Sequence, residues 1–413
     1  MPQVAAERTK MNSRERVREA INHREADRVP VDLGGMGSTG ISAIAYAKLR
    51  NYLGLEKKPI VLYDVMQQLA MPDEDVLEFV GGDVRQVRGM NSTFGIPTGN
   101  YKPGFLLDGS KALVPEGYFP ELRAEGSQIL RKNGQTIAIC PAGGFFFESC
   151  FFPYSQVETK ADIDEIPITG MSDENIDYAS KNAKNLYQNT NYSLMGTFNG
   201  NVFEAGVEGF GFEKFMILLC EKPKLIHYFL ERKIDVNLKN LKTYLEKVGD
   251  YIDVIKFGDD LGSQVSSLIS PTMYRDLIKP YHKKQYQMVK NLRPEIKVFL
   301  HSCGSIVSLI PDLIDAGVDI LNPVQISAKG MEPETLKKKF GKNLVFWGGG
   351  SNTQTTLAYG SPGEVATETA YLVKTFAPGG GYVFSQIHNI MPNVPVENIV
   401  AMYKAVSETG KYN

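Results

Sequence analysis

The sequence predicts an α/β fold, a (β/α)8 TIM barrel with an N-terminal extension and a Gly/aromatic-rich insertion. Three observations predict it. Apolar runs alternate with helical patterns through the C-terminal two thirds of the chain, which reads as repeated βαβ units. Those runs are continuous rather than alternating, as parallel strands covered on both faces are. Nearly every run ends in glycine or polar residues: Asn199-Gly200-Asn201, Gly258-Asp259-Asp260, His301-Ser302-Cys303-Gly304, Gln325, Gly348-Gly349-Gly350 and His388-Asn389. A doubly wound sheet is the competing arrangement, but a closed barrel converges all those ends on one mouth.

Asn12 followed by Glu15 gives a cap for an amphipathic helix running to Ile21. Residues 28–35 then form a first strand ending in Gly34-Gly35. A second strand falls at 83–87 or at 136–140. The segment from about 89 to 160 breaks the rhythm. It is rich in Gly, Pro and aromatics, and is expected to form hairpins or a cover over the mouth. The remaining strands are expected at 192–198, 251–257, 297–300, 320–324, 344–347 and 382–385, with helices at 212–242, 272–292, 305–316 and 362–376. Without repeats or a flexible linker, residues 1–413 read as one domain carrying that insertion.

With 45 basic and 47 acidic side chains, the net charge of −2 offers no electrostatic reason for a nucleic-acid or anionic membrane partner. No apolar run is long enough to span a bilayer, and the charged, polar start lacks a signal-peptide core. Four widely spaced cysteines, Cys140, Cys150, Cys220 and Cys303, argue against a disulfide framework and for a cytoplasmic location.

The chemistry centres on His301-Ser302-Cys303-Gly304. Strand side chains two apart point the same way, so His301 and Cys303 present an imidazole and a thiol together, a spacing suited to zinc. His388, at the end of the last strand, is expected to face the same mouth and complete a three-ligand set with an open position. Glu204 is a candidate fourth ligand. Of the two aspartates ending another strand, Asp260 is expected to serve catalysis and Asp259 to hold substrate, with helix capping as the alternative use of one carboxylate. Phe146, Phe147 and Tyr154 are candidate walls of an aromatic pocket, against simple packing of the insertion. Asn199 and Gln325 are expected to contact substrate from other strand ends. The Gly348-Gly349-Gly350 run is a weak anion-cradle signal that tight turning explains equally well.

The chain also resembles the uroporphyrinogen decarboxylase-like proteins. The resemblance rests on Met11-Asn12-Ser13-Arg14-Glu15-Arg16-Val17, Asp27-Arg28-Val29-Pro30-Val31, Gly258-Asp259-Asp260-Leu261-Gly262, Ile269-Ser270-Pro271, Lys279-Pro280-Tyr281, His301-Ser302-Cys303-Gly304 and His388-Asn389-Ile390 with Pro395-Val396-Glu397-Asn398. These run nearly end to end, and the resemblance implies a (β/α)8 barrel. True decarboxylases carry an Arg-Gln-Ala-Gly-Arg segment after the first strand. Here Asp32-Leu33-Gly34-Gly35-Met36-Gly37-Ser38 stands there without an arginine, so a poly-acid substrate is not expected. The other branch is the corrinoid-dependent methyltransferases, whose zinc is held by His-x-Cys and a distant cysteine. His301 and Cys303 match that motif. His388 departs from the cysteine found in members that methylate coenzyme M. One thiolate and two imidazoles leave zinc more electropositive than two thiolates would, which suits an oxygen leaving group.

The resemblance therefore implies a methyltransferase of one-carbon metabolism. It would move methyl from a methoxylated aromatic compound to Co(I) of a corrinoid (cobalamin) protein, as the first component of an O-demethylase. If zinc is absent, His388 would act as the acid. Methylcorrinoid-to-thiol or methylcorrinoid-to-tetrahydrofolate transfer, with Asp259 and Asp260 holding a pterin, is the nearest alternative. A non-catalytic corrinoid- or tetrapyrrole-binding barrel is a further one. A homodimer is compatible with the sequence.

Overall fold

A computed structural model describes residues 10–412. Seven parallel strands form one curved sheet in sequential order: β2 (Val84–Val87), β3 (Ser193–Asn199), β4 (Val254–Gly258), β5 (Lys297–His301), β6 (Ile320–Asn322), β7 (Val345–Trp347) and β8 (Tyr382–Val383). The extended segment 30–32, β1, lies between the two edges. Val31 bridges Gly82 on one side and Phe384 on the other, both in parallel sense. The bonds are Asp83 N–H to Val31 O and Asp32 N–H to Phe384 O, each 2.8 Å. With β1 in place the barrel is closed, as the sequence predicts.

Strand alternation stratifies the interior. Val84, Met195, Val254, Phe299, Ile320, Val345 and Val383 pack into one buried core with Trp347 and Met36. Two residues further along the same strands, and so on the same face, stand Gln86, Thr197, Lys256, His301 and Asn322. The barrel is thus apolar at its base and polar toward the mouth. The helix Ser13–Ile21, held by the Asn12/Glu15 capping box, adds Val17, Ala20 and Ile21 to the apolar layer and plugs the base.

Of the two candidates for the second strand, Val84–Val87 enters the barrel. The segment Gln135–Cys140 pairs instead with Gln128–Lys132 and Glu148–Ser149 in an antiparallel sheet within the insertion. A separate hairpin pairs Tyr101–Phe105 with Lys111–Pro115. Two expected helices are interrupted. The run at 212–242 divides into Phe212–Glu221 and Pro223–Val248, because Pro223 has no N–H to carry the ladder through. The run at 272–292 contains a π-turn at Tyr274–Ile278 ahead of Lys279–Leu292, where Pro280 again removes a donor. Among the described residues no helix is long and apolar enough to cross a membrane.

Candidate metal centre and cavity

His301, Cys303 and His388 converge at the mouth, with one potential ligand atom from each lying within 4.8 Å of the others. His301 ends β5, and its Nε2 is 3.4 Å from Cys303 Sγ. Its Nδ1 lies 2.6 Å from Asn322 Oδ1, while Asn322 Nδ2 donates to Trp347 O at 2.8 Å. The Asn322 amide is therefore oriented with its oxygen toward the imidazole. Nδ1 carries the ring proton and Nε2 keeps its lone pair for a metal. Burial holds the His301 pKa below the usual histidine value. Burial pushes the Cys303 thiol well up, and the Asp260 and Glu204 charges add to the effect.

The turn carrying Cys303 is fixed from three sides. Asp260 Oδ1 accepts from Cys303 N–H at 2.8 Å and lies 3.7 Å from His301 Nε2. Gln325 Oε1 accepts from Gly304 N–H at 2.9 Å. Gly304 has φ +85°, and a Cβ there would collide with the Gly262 backbone, so glycine is required.

His388 reaches the cluster from an irregular segment beyond β8, at φ +62°. Its Nδ1 accepts from Asn389 N–H at 2.8 Å, so in this geometry the ring proton sits on Nε2. Burial, followed by the neighbouring His301, lowers its pKa to about 4. At neutral pH the ring is an imidazole that can donate a hydrogen bond but holds no imidazolium proton.

The centre opens into a cavity of about 730 Å³, ample for a small aromatic ligand. Asn199, Glu204, Asp260, His301, His388 and Phe146 all line it. Glu204 is not one of the three clustered ligands. Its carboxylate accepts from Asn201 Nδ2 at 2.6 Å, and burial, then Asp260 and Asp259, raise its pKa well above the ordinary range.

Four expected substrate contacts are placed elsewhere. Asp259 is buried and caps the helix Phe203–Phe210 from the end of the neighbouring strand β4, accepting from Val202 N–H (2.8 Å) and Glu204 N–H (2.6 Å). Its remaining contact is His282 Nε2 at 2.6 Å. Held by these three contacts and buried, the carboxylate is turned into the protein and does not line the cavity. Phe147 is fully buried, edge-on to Tyr118. Tyr154 packs between Phe210 and Phe229 at centroid distances of 5.4 and 5.2 Å. Gln325 positions the Cys303 turn instead of lining the cavity. The Gly348–Gly350 run is buried against Pro323 and Phe384, leaving no open cradle.

The cavity also holds residues that the sequence reading missed. Lys256 on β4 donates to Asn199 Oδ1 at 3.0 Å. Burial lowers its pKa against the opposing pull of Glu204, Asp260, Asp259 and Glu208. Tyr63, Asp64, Gln86 and Arg88 line it as well. The available signal was parity: Lys256 and Gly258 are two apart on one strand, as are Gln86 and Arg88 on and just beyond another.

Comparison with known proteins agrees with this architecture. A methyltransferase from Methanosarcina mazei superimposes with a TM-score of 0.60 at 17% identity, covering 97% of this chain and 99% of that one. The uroporphyrinogen decarboxylase of Chlorobium limicola is 26% identical over 266 residues, covering 61% of this chain and 70% of its own length. That of Chlorobaculum tepidum is 26% identical over 270 residues, covering 62% and 72%. The uroporphyrinogen decarboxylase (URO-D) family model matches residues 152–409, which span β3 through β8 and both histidines and the cysteine of the cluster, so this chain belongs to the URO-D family.

Proposed function

We propose that this chain is a methyltransferase that removes the methyl group of a methoxylated aromatic compound and passes it to a corrinoid carried by a partner protein. The observation that carries this reading is the convergence of His301, Cys303 and His388 at the mouth of a ligand-sized cavity. The Methanosarcina mazei protein, named a methyltransferase, shares the fold.

Decarboxylation of a porphyrinogen is disfavoured by charge. The described lining contains four carboxylates, Asp64, Glu204, Glu208 and Asp260, against two cations, Arg88 and Lys256. Met36, Gly37 and Ser38 line the cavity from the loop after β1, where true decarboxylases place arginines. A poly-acid would meet more like charge than counter-charge there.

The donor set fits zinc: one thiol, two imidazoles and room for a fourth ligand. Bound by His301, Cys303 and His388, zinc would keep about one positive charge and supply Lewis acidity suited to an ether oxygen. The residues do the positioning. Asp260 and Gln325 hold the Cys303 turn, Asn322 fixes the His301 tautomer, and Phe146 offers an aromatic face at the rim. When methyl leaves, the C–O bond breaks with its electron pair on oxygen, so positive charge or a hydrogen-bond donor must face that oxygen. A corrinoid is too large for this cavity and would have to be presented at the open mouth.

The test is metal analysis of the purified protein combined with cobalamin spectra across a panel of methoxylated aromatics, methanol and thiols. Methylation of cob(I)alamin by an aryl methyl ether, lost in His301→Ala and Cys303→Ala, is expected. No spectral change with any ether, or unchanged turnover in both variants, would overturn the proposal.

A further inference from the structure

The two cations of the cavity are not equivalent. Lys256 sits among carboxylates, with Glu204, Asp260, Asp259 and Glu208 all acting on it. Arg88 does not. It follows β2 two residues beyond Gln86 and four beyond Val84, so strand alternation carries its side chain to the interior at the mouth. Its guanidinium lies over the Tyr63 ring, 4.9 Å from the centroid. Among the described residues no carboxylate lies within ion-pair distance of it, and the charge effects strongest on it come from Tyr63, Tyr101 and a like charge, Arg85. Burial presses its pKa down. The buried Tyr63 hydroxyl beneath it has no hydrogen-bond partner among the described residues. An arginine drawn partly out of water with no counter-ion is costly until a ligand supplies one.

Position adds meaning to the missing charge. β2 and β5 are three strands apart around the barrel, and Arg88 and His301 line the same cavity from those two strands. A planar guanidinium fork matches one carboxylate bidentately. The acidic groups elsewhere in the lining disfavour a multiply charged ligand.

We infer that Arg88 binds a carboxylate on the substrate, so that the molecule taken is an aromatic acid with its methoxy group at the opposite end, not a neutral ether. This rests on reading the cavity as the methyl-donor site. The acid end is held at β2, the ring spans the cavity, and the ether oxygen reaches the cluster at β5 and β8. Specificity for an acid then comes from a residue remote from the reacting atoms.

The test is calorimetric binding without any methyl acceptor, comparing 3-methoxybenzoate with its neutral isostere 3-methoxybenzamide. Wild-type protein is expected to bind the acid at least about tenfold more tightly than the amide. Arg88→Gln should weaken the acid about 10- to 100-fold and leave the amide unchanged, and Arg88→Lys should recover part of the loss. Equal binding of acid and amide by the wild type, no detectable binding of the acid at millimolar concentration, or an unchanged acid-to-amide ratio in Arg88→Gln would overturn the inference. A fall in melting temperature with that ratio unchanged would mean that Arg88 serves only to pack on Tyr63. Because binding is read apart from turnover, absent methyl transfer with an intact acid preference would refute the proposed reaction and leave the Arg88 site standing.

Discussion

Binding of one zinc ion at pH 7 should release about one proton, and the structure says which. Cys303 is a thiol in the free protein because burial and the neighbouring Asp260 and Glu204 oppose the thiolate, yet only the thiolate ligates. His388, with a pKa of about 4, is about one-thousandth protonated at pH 7, and His301 is likewise shifted down. Neither imidazole therefore contributes a proton. With a single thiol deprotonating, zinc affinity should rise about tenfold per pH unit through neutrality. The slope should steepen as the pH falls into the lowered pKa range of the two histidines, where further protons must also be displaced. Titration calorimetry in buffers of different ionisation enthalpy counts the protons directly, and Cys303→Ser should bring the count close to zero. A count of two at pH 7 that persists at pH 6, below the ionisation of a zinc-bound water, would mean that one histidine is charged in the free protein. A count of zero in the wild type would mean that the thiol is not a ligand or is already ionised. Either result refutes the electrostatic reasoning.

Other substitutions separate structure from function. Asp259→Ala strips a buried cap from the Val202 and Glu204 N–H groups and leaves His282 Nε2 without its partner. It should cost about 3–5 kcal/mol in denaturant unfolding, whereas a loss below about 1 kcal/mol with a raised KM would return the carboxylate to substrate binding. Gly304→Ala puts a side chain into the Gly262 backbone at φ +85°. It should weaken zinc binding at least about tenfold by displacing the Cys303 turn, and unchanged affinity would show that the turn can move freely. Phe147→Ala should cost about 3–5 kcal/mol of stability because that ring is fully buried. Its neighbour Phe146, at the cavity rim, should lose less than about 1 kcal/mol on truncation but raise KM for aromatic ethers. The opposite ranking in thermal melts and kinetics would reverse the assignment of the two rings.

The barrel was legible because parallel strands buried on both faces leave continuous apolar runs, and because each run stops in residues with polar work to do. The site was legible where ligands lie on a strand: His301 and Cys303 are two apart, so their common direction follows from the pleat. Adjacent residues were less tractable. Asp259 and Asp260 point to opposite faces, and only Asp260 shares the interior face of Lys256 and Gly258. Phe146 and Phe147 divide in the same way between cavity and core. The parity argument that found His301 and Cys303 would also have flagged Lys256 inside an apolar run. Arg88 was harder to find, because it sits where β2 meets the insertion and no pattern continues past it. The helix breaks at Pro223 and near Pro280 were readable in principle, since proline removes a ladder donor wherever it falls. Asp259's choice of a helix to cap was not, because the helix belongs to a different βα unit.

His388 gives the centre its chemical character, since Nε2 has two exclusive uses. As the free protein stands, Nδ1 accepts from Asn389 N–H and Nε2 carries the proton toward the cavity. A metal on Nε2 requires the other tautomer, with Nδ1 protonated and that backbone bond given up. The exchange moves a proton within the ring and releases none, so it is consistent with a single proton lost on metal binding. It also carries a cost that the two residues on β5 do not bear, because Asn322 already holds His301 in the metal-ready tautomer. The cluster is therefore asymmetric: a prepared His-x-Cys pair and a third imidazole that must switch. A cysteine in the third place would need no tautomer change but would add a second negative charge beside Asp260 and Glu204. Histidine there keeps the centre electropositive beside the acidic groups of the cavity lining.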